Sequence, residues 1–230
     1  MVIPHIAVVG KSETGKTSLV VELVQKLKEN GYIVATVKHT KGDFSIDSKG
    51  TDTFKHAEAG SKLVVFSTPS ETSFMMKRSM DIREILNQVK NSGDFDLMII
   101  EGMKEENIPK ISTDKDIEGD IYFEGDIEKI LNWIDEQLKI YKIVNKLPQL
   151  NCGKCGYTTC RDFAEDVFHE KTEIESCEQL SIEDVEIVVN GKKISLGKFP
   201  SKIVKNTILG MINSLKGVEE IESLEINYKN

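Results

Sequence analysis

Residues 1–146 alternate short apolar runs with longer stretches in which apolar residues recur at helical spacing. The run Ile6–Val9 is continuous and is followed by Gly10, as expected of a strand buried on both faces. The next stretch carries leucines at every fourth position and stops at Gly31, which is typical of an amphipathic helix. The same reasoning predicts strands at 32–37, 63–67, 97–100 and 121–123, and helices at 81–91, capped by Asp81, and 126–146.

Strands that alternate with helices predict an α/β fold with a mostly parallel, doubly wound sheet. The pattern changes near Pro148, where a cysteine-rich segment begins. Beyond it, 185–189 and 193–196 flank Asn190-Gly191, a strong hairpin signal, and a helix (201–215) and a strand (221–227) are predicted to follow. We therefore expect a nucleotide-binding domain at 1–146, a four-cysteine module at 147–182 and a small αβ element at 183–230.

The formal net charge of −8 argues against a general nucleic-acid binder, because phosphate backbones attract basic surfaces. No apolar run reaches the roughly 18 residues that a membrane span needs, and the N-terminus lacks signal-peptide features, which favours a cytoplasmic protein. All four cysteines lie between Cys152 and Cys177. In a reducing compartment this clustering favours ligands over disulfides.

One segment fits the phosphate-loop pattern G-x-x-x-x-G-K-[ST] between a predicted strand and a predicted helix. Its glycines let backbone N–H groups face phosphate oxygens, and the helix directs its positive end to the same place. The pattern assigns Lys16 to the β- and γ-phosphates and the Thr17 hydroxyl to Mg²⁺. The predicted nucleotide-binding residues are Gly10, Lys11, Ser12, Glu13, Thr14, Gly15, Lys16, Thr17 and Ser18.

Polar residues follow two of the predicted strands, at the edge where ligands bind in doubly wound sheets. His39 ends the strand at 32–37 and precedes a polar segment that contains Asp43, Asp47, Asp52 and His56. Glu101 ends the strand at 97–100, where a carboxylate can hold the Mg²⁺ shell or orient a water. The alternative in each case is an ordinary surface charge.

The residues do not choose between GTP and ATP. A base-reading pattern of the GTPase type, Asn/Thr-Lys-x-Asp, occurs only at Thr40–Asp43, which is too early in the chain for that role. Asn145-Lys146 lacks the aspartate, because Pro148 occupies its position.

Several segments in this order resemble the molybdopterin-guanine dinucleotide biosynthesis protein B family, over about residues 4–135. They are the phosphate loop, Val34–His39, Asp43–Asp47, Gly50–Gly60, Glu101-Gly102 and Ile108–Ile111. The chain departs from the family in having Thr40 where a second histidine often follows, and in its C-terminal extension.

The resemblance implies a P-loop fold, GTP binding with weak GTPase activity, and possible homodimers. It also implies assistance to a guanylyltransferase that attaches GMP to molybdopterin, or to a molybdenum or tungsten enzyme. By the same resemblance, Asp52 and His56 line the site, Thr17 and Glu101 hold Mg²⁺, and the expected catalytic residues are Lys16, Glu101 and Asp47.

The cysteine pattern is C-x-x-C, then Cys160, then Cys177 after sixteen residues. Gly153 and Gly156 let this loop curl so that N–H groups can approach sulfur. Zinc usually takes two C-x-x-C pairs, and only one is present. The segment 147–180 resembles the four-cysteine domain of corrinoid iron–sulfur proteins and electron-transport subunits, which implies a [4Fe–4S] cluster, with zinc as the lesser alternative. The expected ligands are Cys152, Cys155, Cys160 and Cys177.

Two functions from different classes follow from these features. The first is an accessory GTPase of molybdenum or tungsten cofactor maturation with an iron–sulfur module. The second is a nucleotide-gated redox or metal-cluster carrier, in which the P-loop domain times transfer from the cysteines. A small-molecule kinase is a third and weaker hypothesis, because no second phosphate-acceptor site can be recognised in the sequence.

Overall fold

The computed structural model describes residues 2–180, 187–190, 192–194, 198–215, 221 and 224–226. The chain divides into two compact units. The first comprises residues 3–137, and the second comprises residues 1–2 with 138–230.

The first unit is built on the predicted alternation of strands and helices. Its elements in chain order are β1 (His5–Val9), α1 (Lys16–Glu29), β2 (Val34–Lys38), α2 (Asp52–Glu58), β3 (Leu63–Ser67), β4 (Thr72–Met76), α3 (Ile82–Ser92), β5 (Leu97–Glu101), β6 (Lys110–Ser112), β7 (Ile121–Tyr122) and α4 (Ile127–Val144), whose C-terminal part belongs to the second unit.

A parallel five-stranded sheet in the order β2-β5-β1-β6-β7 forms the centre of this unit. β1 lies in the middle and is buried along its whole length, paired with β5 on one side and β6 on the other. The predicted α/β class with a mostly parallel sheet is therefore confirmed. The C-terminal ends of β1, β2, β5 and β6 lie at one edge of the sheet, because their pairing is parallel.

The strand predicted at 63–67 exists, but it is not part of the parallel sheet. It pairs antiparallel with β4 as a separate two-stranded hairpin. The run Leu63–Phe66 is apolar in sequence, yet only Val64 is buried in the hairpin. Phe74 on β4 is 70% exposed. The pattern of apolar residues did not predict α2, β4 or the short strand β6.

Helix boundaries follow the chemistry of their caps. The Asp81 carboxylate accepts a hydrogen bond from the N–H of Glu84, and the Glu84 carboxylate accepts one from the N–H of Asp81, which forms the capping box at the start of α3. The helix predicted at 126–146 is observed as α4.

In the part of the chain that the structure describes, no helix combines the length and apolar character needed to cross a membrane.

The second unit has its own apolar core. It contains the end of α4, then α5 (Cys160–Phe168), a 3-10 turn (Ile174–Ser176), β8 (Ile187–Val189), β9 (Lys192–Ile194) and α6 (Lys198–Asn213). Phe163 and Ala164 of α5 pack with Ile140 and Val144 of α4. Cys177 joins the same core.

Three predictions for the tail can be compared with the structure, and the helix predicted at 201–215 is observed as α6. β8 and β9 form an antiparallel pair around Asn190, whose φ of 51° suits a tight hairpin turn, so the predicted hairpin is confirmed. The prediction of a strand at 221–227 is wrong where it can be checked, because residues 221 and 224–226 are not in a strand. Residues 222, 223 and 227 lie outside the described residues.

We expect Leu23→Ala to lower the free energy of unfolding by about 2–5 kcal/mol, because Leu23 is fully buried under the sheet on α1. Val21→Ala is the matched control on the same helix, since Val21 is 51% exposed and its truncation leaves no cavity. Denaturant unfolding of both variants measures the difference. Equal losses of stability would contradict the packing of α1 described here.

Candidate nucleotide and cysteine sites

The phosphate loop spans residues 10–15 between β1 and α1, where the pattern placed it. Gly15 caps α1 with a left-handed φ of 82°, and no side chain caps the first N–H groups of the helix. Glu13 also has a positive φ, of 62°. These N–H groups need acceptors, and the positive end of the helix favours an anion there.

Gly10 lies where the loop makes its closest approach to a neighbouring strand end. A Cβ at this position would stand 2.3 Å from the Thr113 hydroxyl and 2.5 Å from the Thr14 hydroxyl. The two hydroxyls are themselves 2.7 Å apart. A side chain at residue 10 would therefore separate the loop from the segment that follows β6.

The Thr17 hydroxyl meets the Glu101 carboxylate beside the loop. The Thr17 hydroxyl donates to Glu101 Oε1 at 2.9 Å, and Lys38 Nζ donates to the same oxygen at 3.1 Å. Parallel pairing of β2 with β5 places Lys38 directly beside Glu101, whose side chain is only 13% exposed. A hydroxyl and a carboxylate at this separation supply the oxygen ligands that Mg²⁺ accepts.

The loop lysines contact groups of the protein. Lys16 Nζ donates to the backbone oxygen of Lys11, and the Thr14 hydroxyl donates to the same oxygen at 2.9 Å. Lys11 forms ion pairs with Asp114 and Asp116 beyond β6. The Asp116 carboxylate raises the pKa of the Lys11 ammonium, which keeps this lysine charged.

His39 and Gly102 are held together by their backbones. The His39 N–H donates to the Glu101 carbonyl at 2.9 Å, and a Cβ on Gly102 would lie 2.5 Å from the His39 oxygen. Gly102 has a φ of 109°, which glycine adopts without strain. The His39 side chain is exposed at this edge of the sheet.

Asp47 stabilises its own loop. Its Oδ1 accepts from the Ser48 N–H and from the hydroxyls of Thr51 and Thr53. The Thr51 hydroxyl lowers the pKa of Asp47 most, so the carboxylate is charged and ties the segment to the start of α2. These contacts position the chain around Thr51, the N-cap residue of α2.

The other acids and the histidine of the polar segment lie elsewhere on it. Asp43 is exposed, and Asp52 pairs with Lys55 on the surface of α2. His56 lines a separate cleft with Ser61 and residues 63–65 of β3. Thr17, Lys38 and Glu101 are thus brought together by direct contacts, whereas Asp47, Asp52 and His56 contact other groups.

Sequence reasoning missed the segment 113–116, which follows β6. Thr113 donates from its N–H and its hydroxyl to the Val9 carbonyl, at 2.9 and 3.1 Å, and so joins the start of the phosphate loop. The signal that could have found it is a run of polar residues, Ser112–Asp116, immediately after the apolar Ile111. Strand β6 has only three residues, which is why the pattern of apolar residues did not show it.

In the second unit, the four cysteines line one pocket. The chain turns at Asn151, Gly153 and Gly156, all of which have positive φ values. Asn151 Oδ1 accepts the N–H of Cys160 at 2.7 Å, which ties the loop to the start of α5. The cysteines that share this pocket are Cys152, Cys155, Cys160 and Cys177.

The four thiols differ in their surroundings. Cys160 is the first residue of α5, at the helix end where backbone N–H groups have no intrahelical acceptor. Burial raises the pKa of the Cys177 thiol, N–H groups of Gln179 and Leu180 oppose this shift, and Cys155 and Cys160 add to it. A metal centre would hold all four sulfurs as thiolates and remove their mutual repulsion.

The donor set fits an iron–sulfur cluster, because four cysteine thiols surround one pocket. All four thiols are free of disulfides. Among the described residues, no three or more His, Cys, Asp or Glu side chains are gathered in a geometry ready for a single metal ion.

The fold and the loop define a P-loop nucleotide-binding protein joined to a four-cysteine unit. Residues 5–131 match the family model for molybdopterin guanine dinucleotide synthesis protein B, and residues 147–178 match a family model for a provisionally assigned Fe–S cluster. The chain belongs to the molybdopterin guanine dinucleotide synthesis protein B family and carries an Fe–S family domain after it.

Two relatives in sequence support this membership. A protein of Methanocaldococcus jannaschii, provisionally named a molybdopterin-guanine dinucleotide biosynthesis adapter protein, is 38% identical over 96% of this chain and 95% of its own length. The adapter protein of Haemophilus influenzae is 31% identical over 47% of this chain and 62% of its own. The crystal structure of Bacillus subtilis MobB covers 53% of this chain and 77% of its own, at 21% identity and a TM-score of 0.45.

Gly10→Ala is expected to lower nucleotide affinity by tenfold or more, which corresponds to about 1.4 kcal/mol or more. The added methyl group collides with the hydroxyls of Thr14 and Thr113 and displaces the loop. Titration with a fluorescent GTP analogue measures the loss. Gly210→Ala is the matched control, because the added methyl group meets nothing within 4 Å; a wild-type affinity for Gly10→Ala would contradict the close approach.

Proposed function

We propose that this protein is a GTP-binding adapter in molybdopterin guanine dinucleotide biosynthesis, with slow Mg²⁺-dependent GTP hydrolysis and one [4Fe–4S] cluster. The observation that carries the proposal is the contact between Thr17 and Glu101 beside the phosphate loop. The contact supports the proposal because a hydroxyl and a carboxylate, two oxygen groups of the kind that bind Mg²⁺, lie next to the uncapped end of α1.

The residues of the loop divide the binding of a triphosphate between them. N–H groups of residues 10–15 and the first turn of α1 surround the phosphate oxygens. Lys16 exchanges its contact with the Lys11 carbonyl for the β- and γ-phosphates. Thr17 and Glu101 would hold Mg²⁺, which neutralises charge that develops on the phosphates.

Glu101 is proposed to act mainly by holding Mg²⁺ and orienting the groups around it. Its Oε1 already accepts from both Thr17 and Lys38, so this oxygen is engaged before substrate arrives. Lys38 lies on the same side and adds positive charge near the γ-phosphate end of the loop. With this carboxylate committed to the metal, Glu101 does not also serve as the base for the attacking water, which supports slow turnover.

The cysteine module is proposed to bind the cluster through its four thiolates. Cys177 supplies the ligand from the apolar core, and Cys160 supplies the one at the end of α5. Burial and nearby N–H groups set the redox potential of such a cluster. Zinc is the alternative occupant, and metal analysis distinguishes the two.

The partners are proposed to be a molybdopterin guanylyltransferase or a molybdenum or tungsten enzyme, and a second copy of the chain. The membership of the family and the adapter names of its relatives support protein partners. The β3–β4 hairpin supports them as well, because it exposes Leu63, Phe66 and Phe74.

Thr17→Ala and Glu101→Gln are each expected to lower Mg²⁺-dependent GTP turnover by roughly 10- to 100-fold, the usual cost of removing a group that holds a metal. Single-turnover hydrolysis across a Mg²⁺ titration measures this effect. More Mg²⁺ should be required for half-maximal rate, because each variant loses one oxygen ligand.

Glu105→Gln is the matched control, since Glu105 is an exposed acid that pairs with Lys41 after the same strand. It should hydrolyse GTP at the wild-type rate. A Glu101→Gln variant with unchanged Mg²⁺ dependence would overturn the proposed metal site.

Anaerobically purified protein is expected to contain about four iron and four sulfide per chain, with little zinc. Cys160→Ser and Cys177→Ser should each lose most of this iron and the visible absorption of the cluster. Ser176→Ala is the control beside Cys177 and should retain both. Stoichiometric zinc without sulfide in the wild type would contradict the cluster.

A further inference from the structure

The position of the Mg²⁺ end of the nucleotide restricts where its base can lie. Thr17 and Glu101 meet on the β5 side of β1, and this inference rests on the proposed binding of a triphosphate there. With the γ-phosphate and the metal on that side, the sugar and base must continue in another direction. The opposite neighbour of β1 is β6.

A cleft of about 240 Å³ opens at this opposite side, at the C-terminal ends of β6 and β7. It is smaller than the roughly 300–1,000 Å³ of sites that hold whole ligands, which suits one ring system. Its wall includes two aromatic residues in sequence and a run of polar residues after β6. The lining residues are Ser112, Thr113, Asp114, Lys115, Tyr122, Phe123 and Glu124.

The cleft is continuous with the phosphate loop. The Thr113 hydroxyl, which lines it, lies 2.7 Å from the Thr14 hydroxyl of the loop and donates to the Val9 carbonyl at 3.1 Å. Gly10 leaves room for this contact. A nucleotide with its phosphates in the loop can therefore reach the cleft without crossing another element of this unit.

We propose that this cleft is the guanine site of the nucleotide: a ring of Tyr122 or Phe123 packs against the base, and the Asp114 carboxylate accepts hydrogen bonds from guanine N1–H and its 2-amino group. Aromatic side chains bind bases by stacking whatever the base identity. Selectivity then depends on the carboxylate, which can only accept hydrogen bonds.

Asp114 is suited to this role by its surroundings. Its side chain is only 12% exposed, whereas that of Asp116 is 75% exposed and lies outside the lining of the cleft. Asp114 Oδ1 accepts the N–H of Asp116 at 2.9 Å, which fixes the orientation of the carboxylate. This N–H and the nearby Lys11 hold the pKa of Asp114 below its usual value, so it is ionised.

Lys11 also contacts this carboxylate: its Nζ lies 3.7 Å from the second oxygen of Asp114, while the ammonium hydrogen-bonds Asp116. A carboxylate oxygen has two lone pairs, so Asp114 can accept further hydrogen bonds from a ligand. Guanine presents two donors to such an acceptor. Adenine presents the ring nitrogen N1, an acceptor, at the corresponding edge, which leaves the carboxylate facing a lone pair.

The test measures affinities of the full-length protein for GTP, ATP and XTP with Mg²⁺ by calorimetry. Wild type should prefer GTP over ATP by roughly tenfold or more, the discrimination of one good bidentate contact to a base. Asp114→Asn should lose GTP affinity by a similar factor and gain XTP affinity, because its amide can donate to the xanthine 2-oxygen. Glu118→Gln is the matched control and should change either affinity less than about threefold, since Glu118 is exposed and lies outside the lining of the cleft.

A second variant keeps the proposal testable if Asp114→Asn folds poorly. Phe123→Leu keeps an apolar side chain and removes the ring, so GTP and ATP should both bind several-fold more weakly, with melting temperature unchanged. An unchanged affinity for both nucleotides in this variant and in Tyr122→Leu would show that the base lies elsewhere.

The outcomes separate this proposal from the function on which it rests. Equal affinity of wild type for GTP and ATP, with binding abolished in Lys16→Ala, would overturn the guanine site and leave the phosphate site standing. A switch toward XTP in Asp116→Asn in place of Asp114→Asn would overturn the assignment of the carboxylate. Failure of wild type to bind any nucleoside triphosphate would overturn the proposed function itself.

Discussion

The pairing of β1 with a parallel strand on each side is the constraint on which the nucleotide site depends. Every residue of β1 is buried, so the strand cannot move without disrupting the core. Its end fixes Gly10, the first residue of the phosphate loop. The same pairing brings Glu101 to one side of the loop and Thr113 to the other. Glu101 is hydrogen-bonded there to Thr17 at the start of α1, and Thr113 to Thr14 of the loop. Residues nearly a hundred positions apart therefore meet because three short strands share one register.

The second unit presents a different physical problem, that of a cysteine sulfur inside an apolar core. Cys177 packs with Phe163 and Leu147, an environment that disfavours its thiolate. Backbone N–H groups offset part of this cost, and a bound cationic centre would offset the rest. Around it, the turns at Gly153 and Gly156 and the capping box of Thr159 direct the remaining thiols to the same pocket. Metal binding and folding are therefore expected to be linked in this unit.

Features encoded within a few consecutive residues could be predicted from the sequence. The phosphate loop, the acid at the tip of β5, the cap at Asp81 and the four cysteines all belong to this group. Features that depend on long-range pairing could not. Leu63–Phe66 has the composition of a buried strand, but whether it joins the sheet depends on its pairing with Thr72–Met76. Likewise, Asp47 reads as a site carboxylate, and only the structure shows that its hydrogen bonds go to Thr51 and Thr53.

The same distinction explains why the sequence did not choose a base. Phosphates are bound by backbone N–H groups and one lysine, and such a site needs a fixed local pattern that can be recognised in any chain. A base is bound by shape, a ring and one or two polar groups, which can come from any strand that ends near the loop. Here those groups follow β6 and β7, two strands of three and two residues. Their chemistry becomes visible only when parallel pairing sets Asp114 beside Lys11 and Phe123 beside the end of β6.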